Sequence, residues 1–290
     1  MSSVTERRAA FRAILAGEAC IHPGSVYDPM SARIAEDLGF ELGMFAGSTA
    51  SLTILGAPDN ITITLTEFAE QCRRICRAVK RLPVLVDADH GYGNALNAMR
   101  TVEEVETAGI AAMTLEDTVL PRPHGDGRVA LLSLEEGLGK IRAALAARDD
   151  PGFGIVARTG AVSVTGLTDA LERTRAYTAS GADALFYTGI RTPAELDAIA
   201  AVATLPIILG GAEGKELSDR AYLAARGVRI ALQGHQPIQA AQRAVFETLK
   251  ALREGVPPKQ LQGLPQGDLM ARATREADYG RWTRDFLGGA

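Results

Sequence analysis

Asp87 and Asp89 stand two residues apart in the run Asp87-Ala88-Asp89-His90-Gly91-Tyr92-Gly93-Asn94, and Glu116 with Asp117 closes a second apolar run further along the chain. Carboxylates grouped this way suit a hard cation. Mg2+ takes oxygen ligands, keeps several waters and needs only one or two direct carboxylates, so further acids act through water. Mn2+ accepts the same ligand set. Neither thiolates nor a spaced histidine pair accompany the acids, which argues against zinc. Two apart on a strand end, Asp87 and Asp89 are expected to point the same way. The competing role of such acids is to cap the following helices; three together favour the cation. Arg158 offers a planar fork for a carboxylate or phosphate, its competing role being a salt bridge to Glu116 or a neighbouring acid. His235 can orient a substrate or serve as a base. Ser48 and Thr49 lie where backbone N–H groups could cradle an anion. The pair Gly210-Gly211 has the composition of a barrel phosphate site. The five lysines, Lys80, Lys140, Lys215, Lys250 and Lys259, all fall outside the apolar runs, which argues against a Schiff-base lyase.

Those side chains need elements that bring them to one place. Short apolar runs at 19–21, 42–46, 84–86, 111–115, 154–157, 182–187, 206–209 and 228–232 read as buried parallel strands. Between them, Thr64–Glu67, Thr101–Glu104, Ser133–Glu136 and Thr192–Glu195 have the spacing of helix capping boxes, and Pro193 fits a first helical position. Gly109 and Gly181 mark helix ends. Cys72 and Cys76 share an apolar helix face and read as core. Eight strand–helix units over about 235 residues predict a (β/α)8 barrel. An open doubly wound sheet would carry a glycine-rich fingerprint after its first strand, and Pro23-Gly24-Ser25-Val26 is not one. In a barrel, catalytic groups come from the C-terminal strand ends, where Asp87, Glu116, Arg158 and His235 all fall. The barrel is expected over 1–255, with a helical extension over 256–290 that holds the sole tryptophan, Trp282. That extension packs either on its own barrel or on a neighbouring subunit.

The chain has 290 residues, a net charge of −4 and 47% hydrophobic residues. That is ample for a core, and the charge balance argues against nucleic-acid or membrane-surface partners. No apolar run approaches membrane-spanning length, and the first twenty residues lack a signal-peptide core. With three cysteines a disulfide framework is not expected, so a reduced, cytoplasmic protein is.

The motifs SVYDPMSARIAEDLGF (25–40), GSTAS (47–51), GAPD (56–59), ITLTEF (63–68), DADHGYGN (87–94), GIAAMTLED (109–117), EEGLGKIRAA (135–144) and ARTGA (157–161) resemble the isocitrate lyase / phosphoenolpyruvate mutase superfamily over roughly residues 20–235. Gly234-His235 points to its bacterial oxaloacetate decarboxylase branch. The resemblance implies a barrel whose last helix is exchanged between subunits in a homotetramer, a dimer of dimers. It implies Mg2+ held by Asp87, with Asp89 and Glu116 acting through water, and substrate contacts from Ser48, Arg158 and His235. Asp59 matches an acid placed near the reacting group.

The lyases of the superfamily carry a catalytic cysteine in the loop after strand four. Here Leu120-Pro121-Arg122-Pro123-His124-Gly125-Asp126 has none, which argues against isocitrate or methylisocitrate lyase. Gly160 and the stretch Gly211-Ala212-Glu213 also depart from the pattern and bear on the substrate. The expected reaction is decarboxylation of a 2-oxo dicarboxylate, oxaloacetate, to pyruvate and CO2 through an enolate offset by the cation. The alternatives are a lyase or hydrolase for another 2-oxo or 2-hydroxy acid of the substituted malate type, and a barrel that binds an oxo acid without turnover.

Overall fold

The computed structural model describes residues 3–125, 127–212 and 214–288. It divides into two compact units, Met1–Gly234 and His235–Ala290. The first holds eight parallel strands in sequential order: β1 Gly24–Ser25, β2 Gly43–Ala46, β3 Val84–Asp87, β4 Ala112–Glu116, β5 Gly154–Thr159, β6 Ala184–Thr188, β7 Ile207–Gly210 and β8 Val228–Ala231. A parallel bridge between Ile21 and Ile230 joins the two ends of the sheet, with the Ile21 N–H donating to Arg229 O and the Ala231 N–H to Ile21 O, both at 2.9 Å. The expected (β/α)8 barrel is therefore present. Its first strand is not the run at 19–21. Ile21 from that run pairs with Ile230 instead, and Gly24–Ser25 pairs with β2.

Strand alternation sorts the barrel. Met44, Leu85, Ala112, Val156, Ala184, Phe186, Ile208 and Ile230 form one buried cluster together with Phe11 and Leu15 of the helix Val4–Ala16. A larger cluster lies between strands and helices and contains Val84, Val86, Met113, Leu115, Ile155, Leu185 and Leu209. Phe11 comes so close to β5 that a Cβ at Gly154 would lie 2.6 Å from its ring, so glycine is required there.

Three of the predicted helix starts agree with the structure. Thr64 and Glu67 exchange both capping-box bonds, as do Thr192 and Glu195, with Pro193 leading the helix Pro193–Ala200. Ser133 caps the helix Leu134–Ala147 by accepting from the Glu136 N–H. Thr101–Glu104 is different. Asn94 caps that helix by accepting from the Leu96 and Asn97 N–H groups, so it runs Ala95–Thr107 and Thr101 sits inside it. An amide side chain seven residues earlier satisfies the orphan donors first. Gly109 and Gly181 have positive φ at helix ends, and Cys72 and Cys76 are buried core.

Asp183 ties several elements together just before β6. Its carboxylate accepts from Arg12, from Arg148 Nη1 at 2.8 Å and from the Ile155 N–H at 2.8 Å. We expect Asp183→Ala to cost about 2–4 kcal/mol, because it leaves two guanidinium groups and a backbone donor without their acceptor. Urea unfolding reads this, and an unchanged midpoint would show the knot to be energetically idle.

In the second unit the helix Gln236–Arg253 is followed by the helices Leu269–Thr274 and Glu276–Leu287. Tyr279 and Trp282 meet edge to face at 5.2 Å. Among the described residues no helix is long and apolar enough to cross a membrane.

Candidate active site

The strand faces that build the barrel interior turn polar at the C-terminal ends. Asp87 follows Leu85 on β3, Thr114 and then Glu116 follow Ala112 on β4, and Arg158 follows Val156 on β5, all in steps of two residues and hence on the same face. Register then fixes who meets whom. Asp87 lies beside Thr114, Glu116 beside Arg158, and Arg158 beside Phe186. Thr114 Oγ1 donates to Asp87 Oδ1 at 2.8 Å. Arg158 donates through Nη1 to Asp87 Oδ2, and its Nη2 lies 3.4 Å from Glu116 Oε2. Its Cζ stands 5.3 Å from the Phe186 ring centroid. The salt bridge named above as the competing role of Arg158 is thus present, and it engages both acids. It leaves Arg158 Nε buried without a hydrogen-bond partner among the described residues, an orphan donor of the kind that costs about 1–3 kcal/mol when nothing meets it.

Asp89 reaches the cluster by another route than expected. It lies beyond the end of β3 and adopts φ 47°, so strand alternation does not set its direction. Its carboxylate lies over Gly47, where a Cβ would sit 2.2 Å from Oδ2. Asp89, Gly91, Tyr92 and Gly93 all have positive φ. For the two non-glycine residues such backbone costs about 1–3 kcal/mol each and persists only where the surroundings impose it. The Asp89 N–H donates to Asp87 Oδ1 at 3.2 Å, and Asp89 O accepts from the Glu116 N–H at 2.9 Å.

The cluster therefore sets three buried carboxylates, Asp87, Asp89 and Glu116, against one guanidinium. Burial, then the charges of Asp87, Glu116 and Asp59, hold the Asp89 carboxyl well above its ordinary 3.8, with Arg158 opposing. Burial likewise raises Glu116, against Arg158. Arg158 is itself held above its ordinary value, burial being outweighed by Asp87, Glu116 and Asp89. The donors are all hard oxygens with an excess of negative charge, and the Gly47 cradle leaves the Asp89 carboxylate room. These residues fit a divalent cation of the Mg2+ type. Among the described residues no three His, Cys, Asp or Glu side chains converge to grip one ion together.

A raised carboxyl stabilises the fold only while protonated, so its contribution is full below the ordinary value and is lost as pH rises through the raised one. Asp89→Asn is therefore expected to raise the melting temperature in the presence of chelator, by more at pH 8 than at pH 5. Scanning fluorimetry across that range checks it, and a gain independent of pH would contradict the charge assignment.

The other predicted residues divide. Ser48 lies in the first turn after β2, next to Gly47, half-buried. The Thr49 hydroxyl is engaged locally, donating to Ala46 O at 2.8 Å and accepting from the Ala46 N–H at 3.2 Å. Asp59 is exposed in a loop, yet its charge acts on both Asp89 and Tyr92. His235 opens the second unit, immediately before the helix Gln236–Arg253. Gly210 packs beneath Phe186, where a Cβ would lie 2.7 Å from the ring, so packing accounts for it. Asp126 and Glu213 lie outside the described residues.

Several participants escape sequence reasoning. Thr114 and Phe186 become visible only with the register. Lys140 is buried, and its Nζ donates to the His90 carbonyl. Its one sequence signal is its place beside Gly137, Ile141 and Ala144 on the buried face of its helix. Arg173 donates from Nη1 to Asp117 Oδ2 at 2.9 Å and from Nη2 to Leu132 O at 3.0 Å, pinning both ends of the loop that follows β4.

A parallel eight-stranded barrel with an acidic cluster and an arginine at its C-terminal strand ends defines a class of barrel enzymes acting on small anionic substrates. A family model described as phosphoenolpyruvate phosphomutase matches residues 11–253, and the chain belongs to this family. It is 62% identical over 281 residues to an oxaloacetate decarboxylase of Bradyrhizobium sp. strain BTAi1, covering 97% of both chains. It is likewise 62% identical over 282 residues to an oxaloacetate decarboxylase of Rhodopseudomonas palustris strain BisA53, again covering 97% of both. Among solved structures it is similar to oxaloacetate acetylhydrolase bound to 3,3-difluorooxalacetate, with TM-score 0.85, 28% identity and 99% and 98% of the two chains covered. Phosphonopyruvate hydrolase in complex with oxalate and Mg2+ gives TM-score 0.85 and 28% identity, with 99% and 100% covered.

Proposed function

We propose that this chain is a Mg2+-dependent carboxy-lyase that converts oxaloacetate to pyruvate and CO2. The observation that carries the reading is Arg158, held between Asp87 and Glu116 at neighbouring strand ends with its side chain still 18% exposed. The names of the relatives at about 60% identity support the same substrate. Asp87 would hold the cation directly, and Asp89 and Glu116 would hold it through water. Mn2+ fits the same oxygens.

Arg158 presents the exposed part of its guanidinium to a substrate carboxylate and fixes the 2-oxo acid in the mouth of the barrel. Ser48 and the neighbouring first-turn N–H groups, that of Thr49 included, add donors toward the 2-oxo oxygen. When the C3–C4 bond breaks, its electron pair moves into the C2–C3 bond, negative charge develops on that oxygen and CO2 departs. Bound Mg2+ supplies positive charge where it is worth most, in the transition state. Glu116 is held for this role by Thr118 Oγ1, which donates to Oε2 at 2.9 Å. Protonation at C3 then gives pyruvate. His235, four residues beyond the end of β8, orients the substrate, and Asp59 completes the acidic rim. Ejection of CO2 requires no acidic thiol, in keeping with a loop after β4 that has no cysteine.

The apolar side chains of Val245, Phe246, Leu249 and Leu252 are exposed on one helix. That stripe supports exchange of this last barrel helix between subunits, in a homotetramer in which residues 256–290 form the extension. The three reduced cysteines support a cytoplasmic setting. A second reading, a lyase or hydrolase for another 2-oxo or 2-hydroxy acid, draws on the likeness to oxaloacetate acetylhydrolase and 2,3-dimethylmalate lyase.

The test is pyruvate formation from oxaloacetate with Mg2+ and with chelator, corrected for spontaneous and metal-only decay. Enzyme- and metal-dependent pyruvate that oxalate inhibits supports the decarboxylase. A rate equal to the metal-only background sinks it, and product analysis on substituted malates then examines the second reading.

A further inference from the structure

The loop that carries Asp89 and Tyr92 has positive φ at four positions, 47°, 73°, 60° and 150° at Asp89, Gly91, Tyr92 and Gly93, unfavourable at the two that are not glycine. Three successive carbonyls of this loop are each gripped from a different element. Asp89 O accepts from the Glu116 N–H of β4 at 2.9 Å. His90 O accepts from Lys140 Nζ, reaching up from the helix Leu134–Ala147. Thr101 Oγ1, in the helix Ala95–Thr107, shares its one proton between Gly91 O at 3.1 Å and Asn97 O of its own helix at 2.9 Å. Lys140 is only 2% exposed and Thr101 is fully buried. Lysine is almost never buried this far without a partner. Burial works against the Lys140 charge, and Glu136, Glu116 and Asp117 support it.

We infer that Lys140 and Thr101 are positioning residues: by holding the His90 and Gly91 carbonyls they keep the loop in its left-handed course and the Asp89 carboxylate over Gly47, beside Asp87 and Glu116. The inference rests on reading those acids as the cation site. Neither residue touches substrate or cation, so each acts through the backbone it grips. Charge alone predicts the opposite behaviour for Lys140. Removing a buried positive charge near an acidic cluster would strengthen cation binding, whereas releasing the loop weakens it. The sign of the change therefore separates the two roles.

The experiment is Mn2+ binding to the full chain, with free Mn2+ counted by electron paramagnetic resonance and the bound spectrum recorded, for wild type, Lys140→Met and Thr101→Val. Near-UV circular dichroism checks that each is folded. Both variants are expected to bind Mn2+ about 10- to 100-fold more weakly, the usual cost of losing an outer support of a metal site, with an altered bound spectrum. In decarboxylation the Mg2+ activation constant rises while kcat at saturating Mg2+ recovers. Folded variants with wild-type or tighter Mn2+ affinity overturn the positioning role, even if their melting temperatures fall. Where Lys140→Met does not fold, Thr101→Val, nearly isosteric and neutral, decides alone. Absence of Mn2+ binding by the wild type would sink the cation site itself, a distinct outcome from unchanged affinity in the variants.

Discussion

Asp87→Ala is expected to lower kcat by about a thousandfold or more, since it removes the side chain proposed as direct ligand of the cation that would meet the developing enolate. Cation binding should vanish with it. The fold should survive. Asp87 is bonded to Arg158 and Thr114, but Arg158 keeps Glu116 at 3.4 Å, and one of three mutually repelling carboxylates is gone. The two effects on stability oppose each other, so the change in melting temperature in chelator should be small. Steady-state kinetics with saturating Mg2+, together with Mn2+ titration, read the result. Near-native turnover in Asp87→Ala would remove the metal assignment. A protein that unfolds would show that Asp87 works chiefly as the partner of Arg158.

Arg158→Met is the second large effect. A methionine keeps much of the volume and loses the fork that binds a carboxylate, so kcat/KM should fall about 100- to 1,000-fold, the equivalent of about 3–4 kcal/mol. Most of the loss should appear in KM if the guanidinium holds the substrate equally in ground and transition states. The variant also strips the cluster of the guanidinium paired with Asp87 and Glu116, so it should melt at lower temperature in chelator and be rescued by Mg2+ more than wild type is. Breaking a buried pair by removing one partner leaves an uncompensated charge. Arg158→Lys restores the charge without the planar fork, and should therefore recover stability while KM stays high. Full activity in Arg158→Lys would show that charge alone is needed.

The parts of the site that follow from local chemistry were legible without a structure. Asp87, Glu116 and Arg158 close apolar strands, and a strand end in a barrel is where polar groups meet. Their types already restricted the partner to a hard cation and an anion. Helix starts at Thr64, Ser133 and Thr192 were legible because a capping box satisfies its donors within four residues. Thr101–Glu104 misled for the same reason in reverse, because Asn94 had already closed the helix and left the Thr101 hydroxyl inside it, shared between Asn97 O and Gly91 O.

What the sequence by itself determined is the barrel, the placement of Asp87, Glu116 and Arg158 at one end of it, and the family. Each depends on spacing along the chain, which alternation and capping translate directly into structure. The tertiary structure alone decided that Arg158 bridges Asp87 and Glu116, that Asp89 arrives through a left-handed loop over Gly47, and that Lys140 grips that loop from below. Those contacts join residues tens of positions apart. Only the strand register and the packing of helices on the sheet bring them within hydrogen-bonding reach, and neither is encoded in any local run of residues.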